Sequence, residues 1–196
     1  MNDMTRPGRP KDPEKAQAIL CGAAELFMSE GFGVSMDKIA KAAGVSKQTL
    51  YSHFPNKDAL FETVISGKLN AFFDEASMPR NDTLHDELMD RGQRILDLMS
   101  DSEVIEMKYA LVTSIKKHPH IAELFNEAGP QAICNHLAST FERHDPDQRF
   151  APYDQTAMAF VHALAGHLMF GAMYTPNYVP ETPDGFLEAI VARFSR

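Results

Sequence analysis

Apolar residues recur every three or four positions through nearly the whole chain, and no segment shows the strict alternation of a half-buried strand. The first stripe, Ile19, Leu20, Ala23, Ala24, Leu26 and Phe27, predicts a helix over residues 12–30. Asp12 is its N-cap, Pro13 its first helical residue and Glu14 the acid of its first turn. Ser35 ahead of Ile39, Ala40 and Ala43 predicts a second helix, Gly44 supplies a left-handed exit, and Ser46 caps a third helix through Leu50 and Phe54. Two short capped helices on one glycine hinge form a helix-turn-helix. Asn56 then caps a long fourth helix with Leu60, Phe61, Val64, Ile65, Leu69, Phe72 and Phe73 on its apolar side, ending before Pro79. That helix is long enough to connect two domains and to transmit movement between them.

Beyond Pro79 the stripes predict helices at 83–99, 103–117, 121–127, 131–143, 155–174 and 184–193, with Gly129-Pro130 breaking the third from the fourth. The expected fold is all-α. A homeodomain-like three-helix helix-turn-helix domain at 13–58 follows a basic arm at 1–12 and precedes a second, helical domain at 59–196. Nothing resembles a strand-helix-strand unit or a glycine-rich phosphate loop, which excludes most nucleotide-binding folds. Residues 157–174 are apolar on nearly all sides. His162 and His167, the Ala and Gly content and the absence of basic flanks argue against a membrane span. A helix buried against its own domain on one side and a twin subunit on the other explains the pattern.

Charge separates the two parts. The net charge of −8 excludes a protein that coats nucleic acid with its whole surface, but residues 1–58 hold 8 basic against 7 acidic side chains and the remainder 11 against 20. Positive charge therefore gathers at one pole. It includes Arg6-Pro7-Gly8-Arg9-Pro10-Lys11, whose prolines forbid helix and whose Arg6, Arg9 and Lys11 suit a minor groove or phosphates. On the third helix Lys47, Gln48, Thr49, Tyr51 and His53 lie away from the apolar side, a set of donors for phosphates and base edges, with Ser35 and Lys57 beside them. Lys47 suits guanine and Gln48 adenine.

The run Gly44-Val45-Ser46-Lys47-Gln48-Thr49-Leu50-Tyr51-Ser52-His53-Phe54, continued by Lys57 and Leu60 and preceded by Ala24-Glu25-Leu26-Phe27 and Gly31-Phe32, resembles the TetR/AcrR family of bacterial transcriptional regulators. The resemblance covers about residues 13–65, with one residue fewer between Gly31 and Ser35 than relatives usually have. It implies a homodimeric regulator, most often a repressor, that binds a pseudo-palindromic double-stranded DNA operator and leaves it when a small molecule occupies the second domain. It also implies dimerisation through the last two helices as a four-helix bundle, with Phe160, Leu164, Leu168, Phe186, Ile190 and Phe194 as interface candidates. The 11 methionines carry a further signal, because soft side chains suit an adaptable cavity. Met99, Met107, Leu111, Phe125, Met158, Met169, Phe170 and Met173 are its candidate lining, and a small apolar or amphiphilic effector the candidate occupant. The other readings are a DNA-binding dimer without an effector, whose second domain would be solid, and a small helical metal-dependent enzyme.

The chemistry needed for that last reading is missing. His118 and His120 flank a proline, His162 and His167 diverge on a helix, Asp82-x-x-His85 stands alone, and no Glu-x-x-His pair occurs, so neither metal nor cofactor is expected. No Gly-x-Ser-x-Gly elbow or catalytic triad is evident. Cys21 and Cys134 fall in predicted helices with no secretory leader before them, and are expected to be reduced, small buried residues of a cytoplasmic protein.

Overall fold

A computed structural model describes residues 12–72, 81–174 and 181–195, apart from the side chains of 71, 72, 167 and 169–174. Every regular element among them is helical: α1 (Pro13–Glu30), α2 (Met36–Ala42), α3 (Lys47–His53), α4 (Lys57–Phe72), α5 (Leu84–Ser100), α6 (Ser102–Ile115), α7 (Ile121–Asn126), α8 (Ala132–His144), α9 (Tyr153–Tyr174) and α10 (Phe186–Phe194). The capping residues set the helix starts. Asp12, Ser35, Ser46 and Thr83 each accept a backbone N–H from the first turn of the helix they precede, and Asn56 Oδ1 accepts from Ala59 N at 2.8 Å. Gly44, at φ +66°, lets Val45 N reach Ala40 O and Gly44 N reach Lys41 O, a Schellman exit that turns α2 into α3.

Two apolar clusters hold the fold. The first joins Ile19, Phe27, Ile39, Leu50 and Leu60 of the N-terminal helices and Phe32 of the loop between α1 and α2 to Met107 and Leu111 of α6 and Ile121 of α7, so the packing runs across position 58 without a gap. Phe27, Phe32 and Phe61 form its centre, the Phe61 ring meeting the other two edge-on at 5.2 and 5.3 Å. The second cluster unites α5, α8, α9 and α10 around Leu88, Ile95, Leu137, Phe141, Phe160 and Leu164.

Two expectations are corrected here. Gly129-Pro130 does not break the chain: residues Glu127–Gln131 form a π-helical turn that runs from α7 into α8. The wider turn accommodates a proline, which has no N–H to give and would clash in a regular helix. Cys21 is exposed rather than buried, while Cys134 is buried as expected, and both are free. Along one face of α9, Met158, Ala159 and His162 are exposed within the subunit.

Within the second cluster Glu87 is buried and ringed by two arginines and a histidine. Arg91 Nε donates to its Oε1 at 3.0 Å, Arg143 Nη1 to Oε2 at 2.8 Å, and His144 Nε2 lies 2.8 Å from Oε2. Burial alone would raise the Glu87 carboxyl. The hydrogen bonds from Arg143, His144 and Arg91 outweigh it and hold the group at about 2.

Candidate nucleic-acid interface and effector cavity

The third helix presents its polar side as the spacing requires. Leu50 and Phe54 are buried, while Lys47, Gln48, Tyr51 and Ser52 are exposed and Thr49 and His53 half-buried. Lys47 Nζ forms an ion pair with Asp37 of α2, an exposed contact weak enough to exchange for DNA. Ser46 Oγ accepts from Thr49 N at 3.1 Å and lies 2.9 Å from Thr49 Oγ1, and Ser35 Oγ accepts from Lys38 N at 3.2 Å, so both hydroxyls serve as caps. The His53 ring stands 6.4 Å from that of Phe54. Arg6, Arg9 and Lys11 lie outside the described residues.

Lys57, a phosphate candidate, is already engaged within the protein. Its Nζ donates to Val34 O at 3.1 Å and sits 4.4 Å above the Phe32 ring, and burial pushes its pKa below the ordinary lysine value, against the opposing pull of Asp58. The short loop between α1 and α2 is thereby fastened from three directions. Gly31 turns the chain at φ +72°, Lys57 holds Val34, and Ser114 Oγ of α6 accepts the buried Phe32 N–H at 3.1 Å. His118 and His120, just beyond α6, meet the Phe32 ring edge-on at 5.4 and 5.5 Å.

An apolar cavity of about 240 Å³ lies behind this junction, between α4, α5, α6, α7, the π-turn, α8 and α9. Of the expected lining, Met99, Met107, Leu111 and Phe125 surround it, joined by Ile65, Leu69, Leu98, Val104 and Ile133. Gly129 and Pro130 of the π-turn form part of its wall. Met158 does not belong to it: 44 % exposed, this side chain faces outward from α9. The side chains of Met169, Phe170 and Met173 lie outside the described residues.

The expected interface residues divide differently from the sequence reading. Phe160, Leu164 and Leu168 are buried inside the subunit, and Leu168 lines the cavity, so none is free to meet a partner chain. Phe186, Ile190 and Phe194 are half-buried against the same core, with the Phe194 ring edge-on to Phe160 at 5.3 Å. Among the described residues of α9, Met158, Ala159 and His162 are exposed, with the half-buried Ala163 and Gly166 continuing a stripe of small or polar residues beside them.

Two lysines of the cavity wall, Lys68 and Lys108, went unnoticed in the sequence. A signal for the second existed: Lys108 interrupts the stripe Val104, Met107, Leu111, Val112, where a charged residue is out of register with a solvated face.

A family model described as bacterial regulatory proteins, tetR family, matches residues 19–64, and one described as AefR-like transcriptional repressor, C-terminal domain, matches 86–193. The HTH-type transcriptional regulator EthR of Mycolicibacterium smegmatis is 36% identical over 80 residues, 38% of this chain and 37% of its own. The nucleoid occlusion factor SlmA of Shewanella pealeana is 33% identical over 93 residues, 46% of this chain and 45% of its own. The chain thus spans less than half the length of these curated relatives. Among solved structures, the flavonoid-responsive regulator FrrA matches with a TM-score of 0.70 and 26% identity over 93% of this chain and 94% of its own. A helix-turn-helix with its capped turn, packed onto a helical domain, accords with these matches, and the chain belongs to the TetR family of bacterial transcriptional regulators.

Proposed function

We propose that the protein is a homodimeric repressor that grips a pseudo-palindromic operator through residues 13–58 and releases it when a small apolar or amphiphilic molecule enters the domain at 59–196. The observation that carries this reading is a shared wall. Ile65 of α4 and Met107 and Leu111 of α6 line the cavity while belonging to the same apolar cluster as Leu50 of the recognition helix. A molecule that spreads α4 from α6 therefore bears directly on the packing that orients α3. The cavity also counts against an effector-independent dimer, for which a solid second domain is expected. FrrA, described as flavonoid-responsive, supports a response to small molecules in this fold.

Each α3 would enter a major groove, with half-sites about one helical turn, roughly 34 to 36 Å, or a multiple apart. Lys47 and Gln48 would read base edges. Thr49, Tyr51, Lys57 and Ser35 would hold phosphates, His53 more weakly, and Arg6, Arg9 and Lys11 would add electrostatic affinity. The dimer would form through the exposed α9 stripe and the outer face of α10, where Ala189 is exposed. The site of action would be the cytoplasm, where the bacterial chromosome lies. Release requires a ligand that prefers the DNA-incompetent arrangement, and a coupling of about 1 to 3 kcal/mol suffices for roughly 5- to 150-fold release.

Footprinting of the purified protein on genomic fragments tests the reading. Protected sites with two-fold symmetry are expected, and their protection should be lost when the effector is added. Protection of a single asymmetric half-site would contradict the dimeric mode, and the absence of any protected site would defeat the reading altogether.

A further inference from the structure

Two lysines enter the wall of an otherwise apolar cavity, and the fold treats them differently. Lys68 of α4 is paired with Glu103 at the start of α6, so its charge is already answered. Lys108 of α6 has no such partner among the described residues. Its Nζ lies 2.9 Å from Met99 Sδ, a weak acceptor that satisfies at most one of its three N–H groups. Burial lowers its pKa to about 8, which is the cost of holding an ammonium against thioether and hydrocarbon.

We propose that Lys108 is the head-group receptor of the cavity and that the effector is an organic monocarboxylate carried on an apolar body. A carboxylate on Lys108 Nζ would replace the Met99 sulfur with a charge-assisted hydrogen bond and offset the desolvation of the ammonium. The body would lie against Leu98, Val104, Leu111, Phe125 and Ile133. Its size follows from the volume. A cavity of about 150 Å³ accepts benzene, so 240 Å³ has room for a ring with a short chain or for a medium-length alkyl chain. Because Glu103 neutralises Lys68, there is no second free cation among the described lining residues, which favours one acidic group over two. The position also connects the head group to the junction with the reading module: Lys108 and Ser114 lie on one helix, six residues and about 9 Å apart along its axis. The proposal rests on the cavity being the effector site.

Calorimetric titration of octanoate, octanol and octylammonium into the full chain tests it, since the three probes share a body and differ in head. Octanoate should bind at least about tenfold more tightly than octanol, with octylammonium weakest. Lys108→Met should bring octanoate and octanol to parity while Lys108→Arg keeps the preference, and the Lys108→Met protein should melt no lower than wild type because a half-buried charge is gone. Equal binding of octanoate and octanol by the wild-type chain, or no octanoate binding, overturns the proposal without recourse to any variant, as does a Lys108→Met protein that retains the full preference. Selective octanoate binding that leaves operator affinity unchanged would support the Lys108 assignment and defeat the release mechanism, so the two stand or fall separately.

Discussion

The backbone N–H of Phe32 donates to Ser114 Oγ at 3.1 Å, a buried bond between residues 82 positions apart. Phe32 belongs to the loop that leads into the helix-turn-helix, and Ser114 follows Met107 and Leu111 along one face of α6. The junction admits nothing larger than glycine beside it: a Cβ on Gly31 would lie 2.5 Å from Ser114 Oγ, at a φ that L residues rarely adopt.

Ser114→Ala removes the acceptor and leaves the Phe32 N–H buried and unsatisfied, which should cost about 1 to 3 kcal/mol. Urea denaturation measures the loss. The same variant should respond less to effector, because α6 no longer holds the loop. An unchanged midpoint together with an unchanged response would show that the bond contributes to neither.

Gln48→Ala and Lys57→Ala should separate sequence reading from support. Gln48 is exposed and free to reach a base edge, so its loss should cost about 1 to 3 kcal/mol on the operator and relax preference at one base per half-site. Lys57 also fastens Val34 and covers Phe32, so its loss should weaken binding to all sequences alike and lower folding stability as well. Titration against a set of single-base operator variants reads both effects. A uniform loss for Gln48→Ala would remove it from direct readout.

Glu87 makes acid stability a specific expectation. Its folded pKa, about 2, is depressed from 4.5, so its contribution is fully present above about 4.5 and is lost as pH falls towards 2. Glu87→Ala strands Arg91, which is also buried, and should cost about 3 to 5 kcal/mol. Melting curves from pH 6 to 2 should fall more steeply for wild type than for Glu87→Gln, which has no carboxyl to protonate. Parallel curves would place the acid sensitivity elsewhere.

Ala159→Arg should abolish the proposed dimer with little effect on the fold, since Ala159 is exposed within the subunit. Phe160→Ala should do the reverse, costing about 3 to 5 kcal/mol as a core truncation. Sedimentation velocity and thermal melting distinguish the two. A dimer that survives arginine at 159 would move the interface off this face of α9.

Much of this was legible from neighbouring residues. Asp12-Pro13, Ser35, Ser46 and Asn56 mark helix starts because a capping side chain reaches a backbone N–H only two or three positions away. The division of α3 into buried Leu50 and exposed Gln48 and Tyr51 followed from helical spacing in the same way. The reading went wrong where burial depended on a third element. Phe160, Leu164 and Met158 are all apolar and share one helix, so composition could not say that the first two enter the subunit core while the third faces outward. The π-turn was hidden for a different reason: Gly-Pro is an ordinary helix stop, and the packing that accompanies its continuation, with Ala128 in the first cluster and Gly129 beside Ile65 of α4, comes from distant residues.

The sequence by itself determined the all-helical architecture, the helix-turn-helix and the family, because periodicity, capping and turn chemistry act over a few residues and are written locally. The tertiary structure decided which apolar residues line a cavity and which fill a core, that Lys57 is a fastening as well as a cation, that Lys108 stands beside Met99 with no carboxylate partner among the described residues, and that Ser114 holds Phe32. Those outcomes depend on how helices distant in sequence cross. A shift of one helix by a single turn would exchange every partner while leaving the local pattern unchanged.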